Sequence, residues 1–253
     1  MITYLTSVQN PRVKSWKKLH TAKGRKKEQR YLIETWHLVE EAHRANQLIE
    51  CMLTQEAYDT YGSQLTVPIS IISNDVMNEL TQTQTPTGVF GVVKTSIQQS
   101  VDKKGKYILL DGVQDPGNVG TIIRTADAAG FDGVIIGEGT VDVFNDKTVR
   151  AMQGSQFHIA LYKGELVTVI EQLQQQNTRV LATALDATSQ DLLTVEKSDN
   201  VAIVVGNEGS GVSTNVLEKC NQTVYIRMLG QAESLNVAVA AGIAMYHFIG
   251  EKV

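Results

Sequence analysis

Three stretches in the second half of the sequence place polar side chains directly after apolar runs that predict β-strands. The first, DGVQDPGNVGTIIRTADAAGF, carries Asn118 and Arg124. The second, VAIVVGNEGSGV, carries Glu208, and the third, YIRMLGQAESLNVAVAAG, carries Ser234 and Asn236. Ligands of open parallel α/β sheets bind beyond the carboxyl ends of the strands. These five side chains are therefore candidates for a single site.

The second stretch narrows the chemistry of the ligand. A Gly-rich loop after a strand is a frequent nucleotide site, but Gly206, Gly209 and Gly211 lack the G-x-G-x-x-G spacing. No Lys follows as in a P-loop, and the carboxylate of Glu208 would repel phosphate. The loop therefore favours a nucleoside or a cation over a pyrophosphate.

Several of these residues also have purely structural explanations. Asn118 follows a Pro-Gly turn and is a plausible helix N-cap, and Ser234 alone could cap a terminal helix that starts at Leu235. Arg124 could be an ordinary surface arginine beside the apolar face of its helix. Helix capping by Ser234 leaves Asn236 unexplained.

The order of apolar runs and helical patterns along the sequence predicts two domains joined by a linker. Short β-type runs alternate with helical patterns over residues 1–95, which predicts a small α/β domain. A polar stretch at 96–106 is interpreted as a linker. Over 107–253, continuous apolar strands such as YILLD and VAIVVG are separated by helices, which predicts a mostly parallel sheet with helices on both faces.

Composition excludes several classes of protein. The chain has 253 residues, of which 42% are hydrophobic and 20% charged, as in ordinary globular proteins. The longest apolar run, near residues 237–246, is too short for a membrane span, and no signal peptide is visible. The chain has only two cysteines, which favours a reducing cytoplasm. Its five histidines are scattered along the sequence, which predicts no metal site.

Charge is distributed unevenly along the chain. Between positions 12 and 30 there are nine Lys or Arg and one acid, so this arm carries +8 while the whole chain carries −4. The remainder therefore carries −12 and would repel a phosphate backbone. A solvated helix face remains open as an explanation, but the clustering favours nucleic-acid binding. The residues predicted to contact RNA are Lys23, Arg25, Lys26, Lys27 and Arg30.

Taken together, the motifs N-x-G-x-x-x-R-T-A, V-V-G-N-E-G-x-G and I-x-M-x-G-x-x-x-S-L-N-V-A-V-A resemble those of the SpoU/TrmH family of RNA ribose 2′-O-methyltransferases. This family belongs to the SPOUT class. The resemblance implies a deep trefoil knot, a homodimer formed through the knotted C-terminal domain, and S-adenosylmethionine as cofactor. The first 95 residues are similar to the small RNA substrate-binding domain of many members. Arg227 stands where the family usually has Pro.

The resemblance also implies roles for individual residues. The cofactor is expected against Gly206, Asn207, Ile226, Met228 and Leu235. Arg124 is expected to activate the ribose 2′-oxygen, either as an unusual base or by electrostatic stabilisation, because guanidinium normally stays protonated. Asn118, Glu208, Ser234 and Asn236 are expected to orient Arg124 and the ribose.

Ribosomal RNA is the preferred substrate. The alternatives left open are a tRNA 2′-O-methyltransferase and a non-catalytic RNA-binding relative.

Overall fold

The computed structural model describes residues 2–101, 103–186 and 188–249. The contacts between these residues divide the chain into two units. The first contains the described residues up to Ser96 together with Phe144–Phe157, and the second contains Ile97–Val143 and the described residues from His158 onwards. Phe144–Phe157 thus belongs with the N-terminal unit although it follows the predicted linker by almost forty positions. Local sequence patterns do not indicate this return of the chain.

The first unit contains a five-stranded mixed sheet. Its strand order is β1-β4-β3-β5-β2, in which β1, β4 and β3 are parallel neighbours and β5 is antiparallel to both β3 and β2. The elements are β1 (Ile2–Leu5), α1 (Pro11–Lys18), α2 (Ala22–Glu28), β2 (Arg30–Glu34), α3 (Trp36–Arg44), β3 (Leu48–Leu53), α4 (Gln55–Tyr61), β4 (Ile69–Ile72), α5 (Asn74–Leu80) and β5 (Val89–Lys94).

Helices α1 and α2 carry the basic arm, and one of its arginines is structural. Arg25 is only 6% exposed. Its Nη1 donates to the carbonyl oxygens of Leu19 at 2.9 Å and His20 at 2.8 Å, in the connection between the two helices. The prediction that Arg25 contacts RNA is therefore corrected. Its guanidinium satisfies backbone carbonyls that would otherwise be buried without a donor.

The second unit contains a seven-stranded sheet in which every pairing is parallel, as predicted. Its order is β10-β12-β9-β11-β6-β7-β8. The elements from here on are β6 (Lys106–Asp111), α6 (Pro116–Ala128), β7 (Gly133–Ile136), α7 (Asp146–Met152), β8 (Ala160–Lys163), α8 (Leu166–Gln175), β9 (Arg179–Thr183), β10 (Gln190–Asp191), β11 (Val201–Gly206), α9 (Thr214–Leu217), β12 (Gln222–Tyr225) and α10 (Val237–His247). Helix α7 lies in the first unit.

The two central strands explain the continuous apolar runs of the sequence. All six residues of β11 are buried, and its Val204 packs with Leu109 of β6 and with Ile170 and Leu173 of α8 in one cluster. Strands of this kind lack polar alternation because helices cover both faces of the sheet. The register sets Gly206 opposite Asp111, so β6 and β11 end side by side.

The stretch interpreted as a linker is packed onto the second unit. Gln98 exchanges backbone hydrogen bonds with β8, donating to Leu161 O at 2.8 Å and accepting from Lys163 N at 3.1 Å. Val101 is 4% exposed and belongs to the same apolar cluster as α8. These contacts fix the start of the second unit before β6 begins.

Two classes of feature are not found in the described parts of the chain. None of the helices in 2–101, 103–186 and 188–249 has the length and apolar character needed to cross a bilayer. The same residues contain no group of three or more His, Cys, Asp or Glu arranged to hold a metal ion.

The buried position of Arg25 gives a first prediction. Arg25→Ala should lower the free energy of unfolding by about 1–3 kcal/mol, because two buried carbonyls lose a charged donor. Lys26→Ala, one position along on the exposed side of α2, should stay within about 0.5 kcal/mol of the parent. Urea unfolding of the full chain measures both. Equal midpoints for the two variants would contradict the structural role of Arg25.

Candidate active site

The three polar stretches converge at the carboxyl edge of the parallel sheet. They are the loops after β6, β11 and β12, and they end at α6, α9 and α10 respectively. Because β11 lies beside β6, and β9 separates β11 from β12, the three loops leave neighbouring parts of the same edge. The predicted convergence of the motifs follows from this strand order.

Asn207 builds the second loop and ties it to the first. Its backbone N–H and C=O both pair with Gly211, at 3.0 and 2.9 Å, and its Oδ1 accepts from Gly209 N at 2.9 Å. Its Nδ2 donates to Gly112 O, in the loop after β6, at 2.9 Å. Gly211 has φ +72°, which favours glycine. Asn207 therefore shapes the site through its own loop.

Gly206 is required by this loop rather than by the space that a ligand would fill. A Cβ at position 206 would lie 2.1 Å from the carbonyl carbon of Gly211 and 2.2 Å from the nitrogen of Val212. The loop folds back onto the end of β11, so any side chain at 206 would displace backbone atoms. The glycine is thus a condition for the loop to exist.

Glu208 connects the second loop to the start of α6. One carboxylate oxygen accepts from Asp115 N at 3.0 Å and Asn118 Nδ2 at 3.1 Å, and the other accepts from Gln114 N at 3.1 Å. Burial acts to raise the pKa of Glu208, but the hydrogen bonds from Asn118 and the two backbone amides prevail and leave that pKa below the usual value. The carboxylate is ionised at neutral pH.

Asn118 and Asn236 extend this network to the terminal helix. Asn236 Nδ2 donates to Asn118 Oδ1 at 2.9 Å. The Oδ1 of Asn236 accepts from Ala238 N at 2.9 Å, so Asn236 is the N-cap of α10. The chain Glu208, Asn118, Asn236 thus joins all three loops, and each amide has one orientation that satisfies both neighbours.

Both helix caps differ from the prediction. Asp115 caps α6 by accepting from Asn118 N at 2.8 Å, so Pro116 opens the helix and Asn118 lies within its first turn. Asp followed by Pro at the first helical position is a recognisable start signal. At α10 the cap is Asn236 rather than Ser234, and the helix begins at Val237.

A cleft of about 800 Å³ opens between these loops. All five residues predicted to bind the cofactor line it, together with three of those predicted to take part in catalysis: Gly206, Asn207, Ile226, Met228, Leu235, Glu208, Ser234 and Asn236. The structure therefore brings these predicted residues together. Ser234 is exposed on the cleft and, within the described residues, makes no hydrogen bond.

The lining suits a nucleoside joined to a cation. Leu192, Val224 and Ile226 supply apolar walls of the kind that hold a purine. Glu208 and Glu233 supply negative charge for a cationic group, and Arg227 lies at the rim. S-adenosylmethionine carries an adenine, a sulfonium, an ammonium and a carboxylate, so the donor set of the cleft fits it.

Arg124 lies outside this lining. It is exposed on α6 and has no ion pair or hydrogen bond within the described residues. Asn118 and Asn236 also line a second groove, of about 550 Å³, which runs between α6 and α10 past Thr121 and Tyr246. Arg124 lies on the same helix as Asn118, Thr121 and Thr125, and Asn236 borders both the cleft and this groove.

The residues predicted to bind RNA all lie in the first unit. Lys23, Lys26, Lys27 and Arg30 are exposed, and none of them forms an ion pair with another described residue. They leave four cations unneutralised on α2 and the start of β2.

Fold and site together define a class of protein: an open parallel α/β sheet with a ligand cleft in the loops at its carboxyl edge. A family model described as "SpoU rRNA Methylase family" matches residues 105–246, and one described as "MRM3-like substrate binding domain" matches residues 10–91. The chain belongs to the SpoU rRNA methylase family.

Individual relatives agree with this assignment. The chain is 42% identical to the 23S rRNA (guanosine(2553)-2'-O)-methyltransferase RlmP of Bacillus subtilis, over 97% of this chain and 99% of that protein. An AdoMet-bound rRNA methyltransferase from Sinorhizobium meliloti superposes with a TM-score of 0.84 at 30% identity, covering 97% of each chain. A putative RNA methyltransferase of the TrmH family from Porphyromonas gingivalis gives 0.86 at 27% identity, covering 96% of this chain and 98% of that one. S-adenosylmethionine as cofactor is thereby confirmed.

The carboxylate of Glu208 gives a second prediction. In Glu208→Gln an amide nitrogen must face an N–H donor, so the free energy of unfolding should fall and the chemical step should slow by roughly 10²-fold. Because the pKa of Glu208 is lowered in the folded chain, its contribution is present at neutral pH and is lost as the pH falls below about 4.

Thermal melting of parent and variant between pH 3 and pH 7 measures this contribution. The two melting temperatures should differ at pH 7 and approach each other at pH 3. Curves that stay parallel over the whole range would contradict the assigned role of the carboxylate.

Proposed function

We propose that this chain transfers a methyl group from S-adenosylmethionine to a ribose 2′-hydroxyl of ribosomal RNA. The observation that carries the proposal is the Glu208–Asn118–Asn236 network, which joins three loops beside a cleft suited to that cofactor. The identity to RlmP over almost the whole chain supports ribosomal RNA as the substrate. Because ribosomal RNA is the substrate, we place the reaction in the cytoplasm.

When bound, the cofactor supplies an activated methyl group on a sulfonium. Glu208 places negative charge on the cleft, which would favour a cationic group there, and holds the start of α6 through the amides of Gln114 and Asp115. Asn118 and Asn236 fix the spacing between α6 and α10. Positioning of this kind contributes much of the rate in a transfer reaction.

We assign Arg124 to the ribose 2′-oxygen. Guanidinium stays protonated in proteins, so Arg124 acts by stabilising the negative charge that develops as the hydroxyl loses its proton to water or a phosphate. Its side chain has no competing partner among the described residues. Ser234, equally uncommitted and exposed on the cleft, is assigned to contact the ribose.

We further propose that the chain is a homodimer whose interface includes the groove between α6 and α10, and that the second unit has the trefoil knot of the SPOUT class. Val239, Ile243 and Tyr246 are 51%, 38% and 51% exposed, and their spacing places them on one face of α10. A second copy would cover this apolar stripe and the polar residues of α6 beside it.

The reaction itself is tested with purified chain and 23S rRNA from a strain lacking the enzyme. Digestion and mass spectrometry should detect a new 2′-O-methylated nucleoside. Arg124→Ala should abolish this product while leaving the Kd for S-adenosylmethionine within a few-fold, because Arg124 does not line the cleft. Arg124→Lys should fail nearly as badly, since a point charge does not replace a planar fork.

Near-normal single-turnover rates in either Arg124 variant would contradict the assignment of Arg124. A product methylated on the base instead of the ribose would contradict the proposed 2′-O-methylation.

The basic arm gives a fourth prediction, restricted to the exposed lysines. Changing Lys23, Lys26 and Lys27 to Ala should flatten the slope of log affinity against log salt by up to about 2, because each contact to single-stranded RNA contributes roughly 0.7. Affinity at low salt should fall alike for unrelated RNA sequences. Cofactor affinity should stay unchanged, because these lysines and the cleft lie in different units.

A matched control alters the net charge equally. Lys163, Lys197 and Lys219 are exposed residues of the second unit, and their triple change to Ala also removes three positive charges. An RNA titration at several salt concentrations compares the two variants. Equal changes of slope would mean that net charge, rather than the arm, governs RNA binding.

A further inference from the structure

The segment Arg227–Leu235 forms one wall of the cofactor cleft and is held to the rest of the fold at few points. Apart from one ion pair of Arg227, its backbone and side chains make no polar contact with the other described residues, although ten residues lie between β12 and the cap of α10. Leu229 is 91% exposed, and a Cβ added at Gly230 would meet no atom within 4 Å. The unused amide and carbonyl groups of this segment are available to a ligand, but they do not fix its position.

One polar contact does hold the segment. Arg227 Nη2 lies 2.6 Å from Asp191 Oδ2, and the two side chains are 59% and 9% exposed respectively. Asp191 ends β10, which pairs in parallel with β12, so the contact joins an edge strand to the residues that follow its neighbour. Within the described residues, this ion pair is the single polar attachment between Arg227–Leu235 and the sheet.

Asp191 is itself fixed from the other side. Its second oxygen, Oδ1, accepts from Leu193 N at 3.1 Å and caps the short 3₁₀ turn Leu192–Thr194. The buried side chain of Leu192 lines the cleft. The two oxygens of Asp191 therefore contact two different walls of the cleft. Oδ1 contacts the 3₁₀ turn, and Oδ2 contacts the segment Arg227–Leu235.

We propose that the Arg227–Asp191 ion pair positions the segment Arg227–Leu235 for cofactor binding, so that both residues act as positioning residues for S-adenosylmethionine. The proposal rests on the cofactor cleft assigned above. Without the pair the segment samples many conformations, and cofactor binding must supply the free energy of ordering it. Arg227 thereby limits the conformations of this wall of the cleft before the ligand binds. The Pro that the family usually has at this position would restrict the backbone through its ring instead.

The alternative is that Arg227 binds the cofactor carboxylate directly, and the two explanations differ in what Asp191 does. If Arg227 acts through Asp191, removing either partner has the same effect and removing both adds nothing further. If Arg227 contacts the ligand, Asp191 contributes little and the two changes are independent. Residues in one ion pair typically show coupling of 0.5–3 kcal/mol in such cycles.

The test is a double-mutant cycle read by calorimetry on the full chain. Arg227→Ala, Asp191→Asn and the double variant should each raise the Kd for S-adenosylmethionine about tenfold, which corresponds to about 1.4 kcal/mol. Asn at 191 retains an oxygen for Leu193 N and loses the charge. Arg227→Lys should recover part of the affinity. At saturating cofactor, the kcat for RNA methylation should stay within about twofold of the parent.

Limited proteolysis of the unliganded protein gives a readout that is independent of binding. Chymotrypsin should cleave after Leu229, which is 91% exposed, faster in Arg227→Ala and Asp191→Asn than in the parent, while the buried strands β6 and β11 should resist cleavage in all three proteins. Lys219→Ala is the matched control. Its ion pair with Glu171, at 2.7 Å in the same unit, lies between two half-exposed side chains outside the cleft lining.

Additive effects of the two changes on Kd, or an unchanged Kd in Asp191→Asn, would overturn the proposal. Cofactor binding by the parent chain is measured in the same series. A parent that does not bind S-adenosylmethionine would contradict the proposed function, whereas a parent that binds and variants that bind equally well would contradict only the role of the ion pair.

Discussion

The arrangement of the candidate active site depends on one carboxylate placed among backbone amides at the start of a helix. Glu208 accepts hydrogen bonds from residues 90, 93 and 94 positions earlier, so a single side chain closes a loop of the chain of that length. Closing such a loop costs conformational entropy. Pairing of β6 with β11 already brings the two ends of this loop together, so the hydrogen bonds of Glu208 do not have to offset that entropy alone. The carboxylate then holds the loops after β6 and β11 in one arrangement. The hydrogen bond between Asn118 and Asn236 fixes the start of α10 against the same loops.

Local patterns predicted the parts of this arrangement that local physics decides. The run Val201–Gly206 is apolar throughout because strands covered on both faces lack polar alternation, and the seven parallel strands follow from strands separated by helices. Glu208 and Ser234 lie in loops after strands, and Arg124 lies on the helix that follows its strand, as expected. Helix starts were less predictable, because Asn118, Ser234 and Asn236 are all chemically able to cap and the choice depends on tertiary partners. Asp115 was missed although Asp-Pro at a helix start is a local signal.

Other features were beyond sequence reasoning because they depend on contacts between distant residues. Nothing near Arg25 distinguishes it from Lys26, and only the fold shows that its guanidinium meets the carbonyls of Leu19 and His20. Asp191 lies in a polar stretch and reaches Arg227 through the pairing of β10 with β12. The return of Phe144–Phe157 to the first unit likewise leaves no local pattern.

The hydrogen bonds within the protein distinguish side chains that hold the helices in place from side chains that remain available to a substrate. Asn236 uses its oxygen on the first turn of α10 and its nitrogen on Asn118. Asn118 in turn uses its oxygen on Asn236 and its nitrogen on Glu208. These amides are therefore engaged at both ends, and their hydrogen bonds hold the starts of α6 and α10 together. Arg124 and Ser234, by contrast, have no hydrogen-bond partner among the described residues, which supports the proposal that they contact the ribose. Of the five side chains singled out from the sequence, hydrogen bonds within the protein thus engage Glu208, Asn118 and Asn236 and leave the other two uncommitted within the described residues.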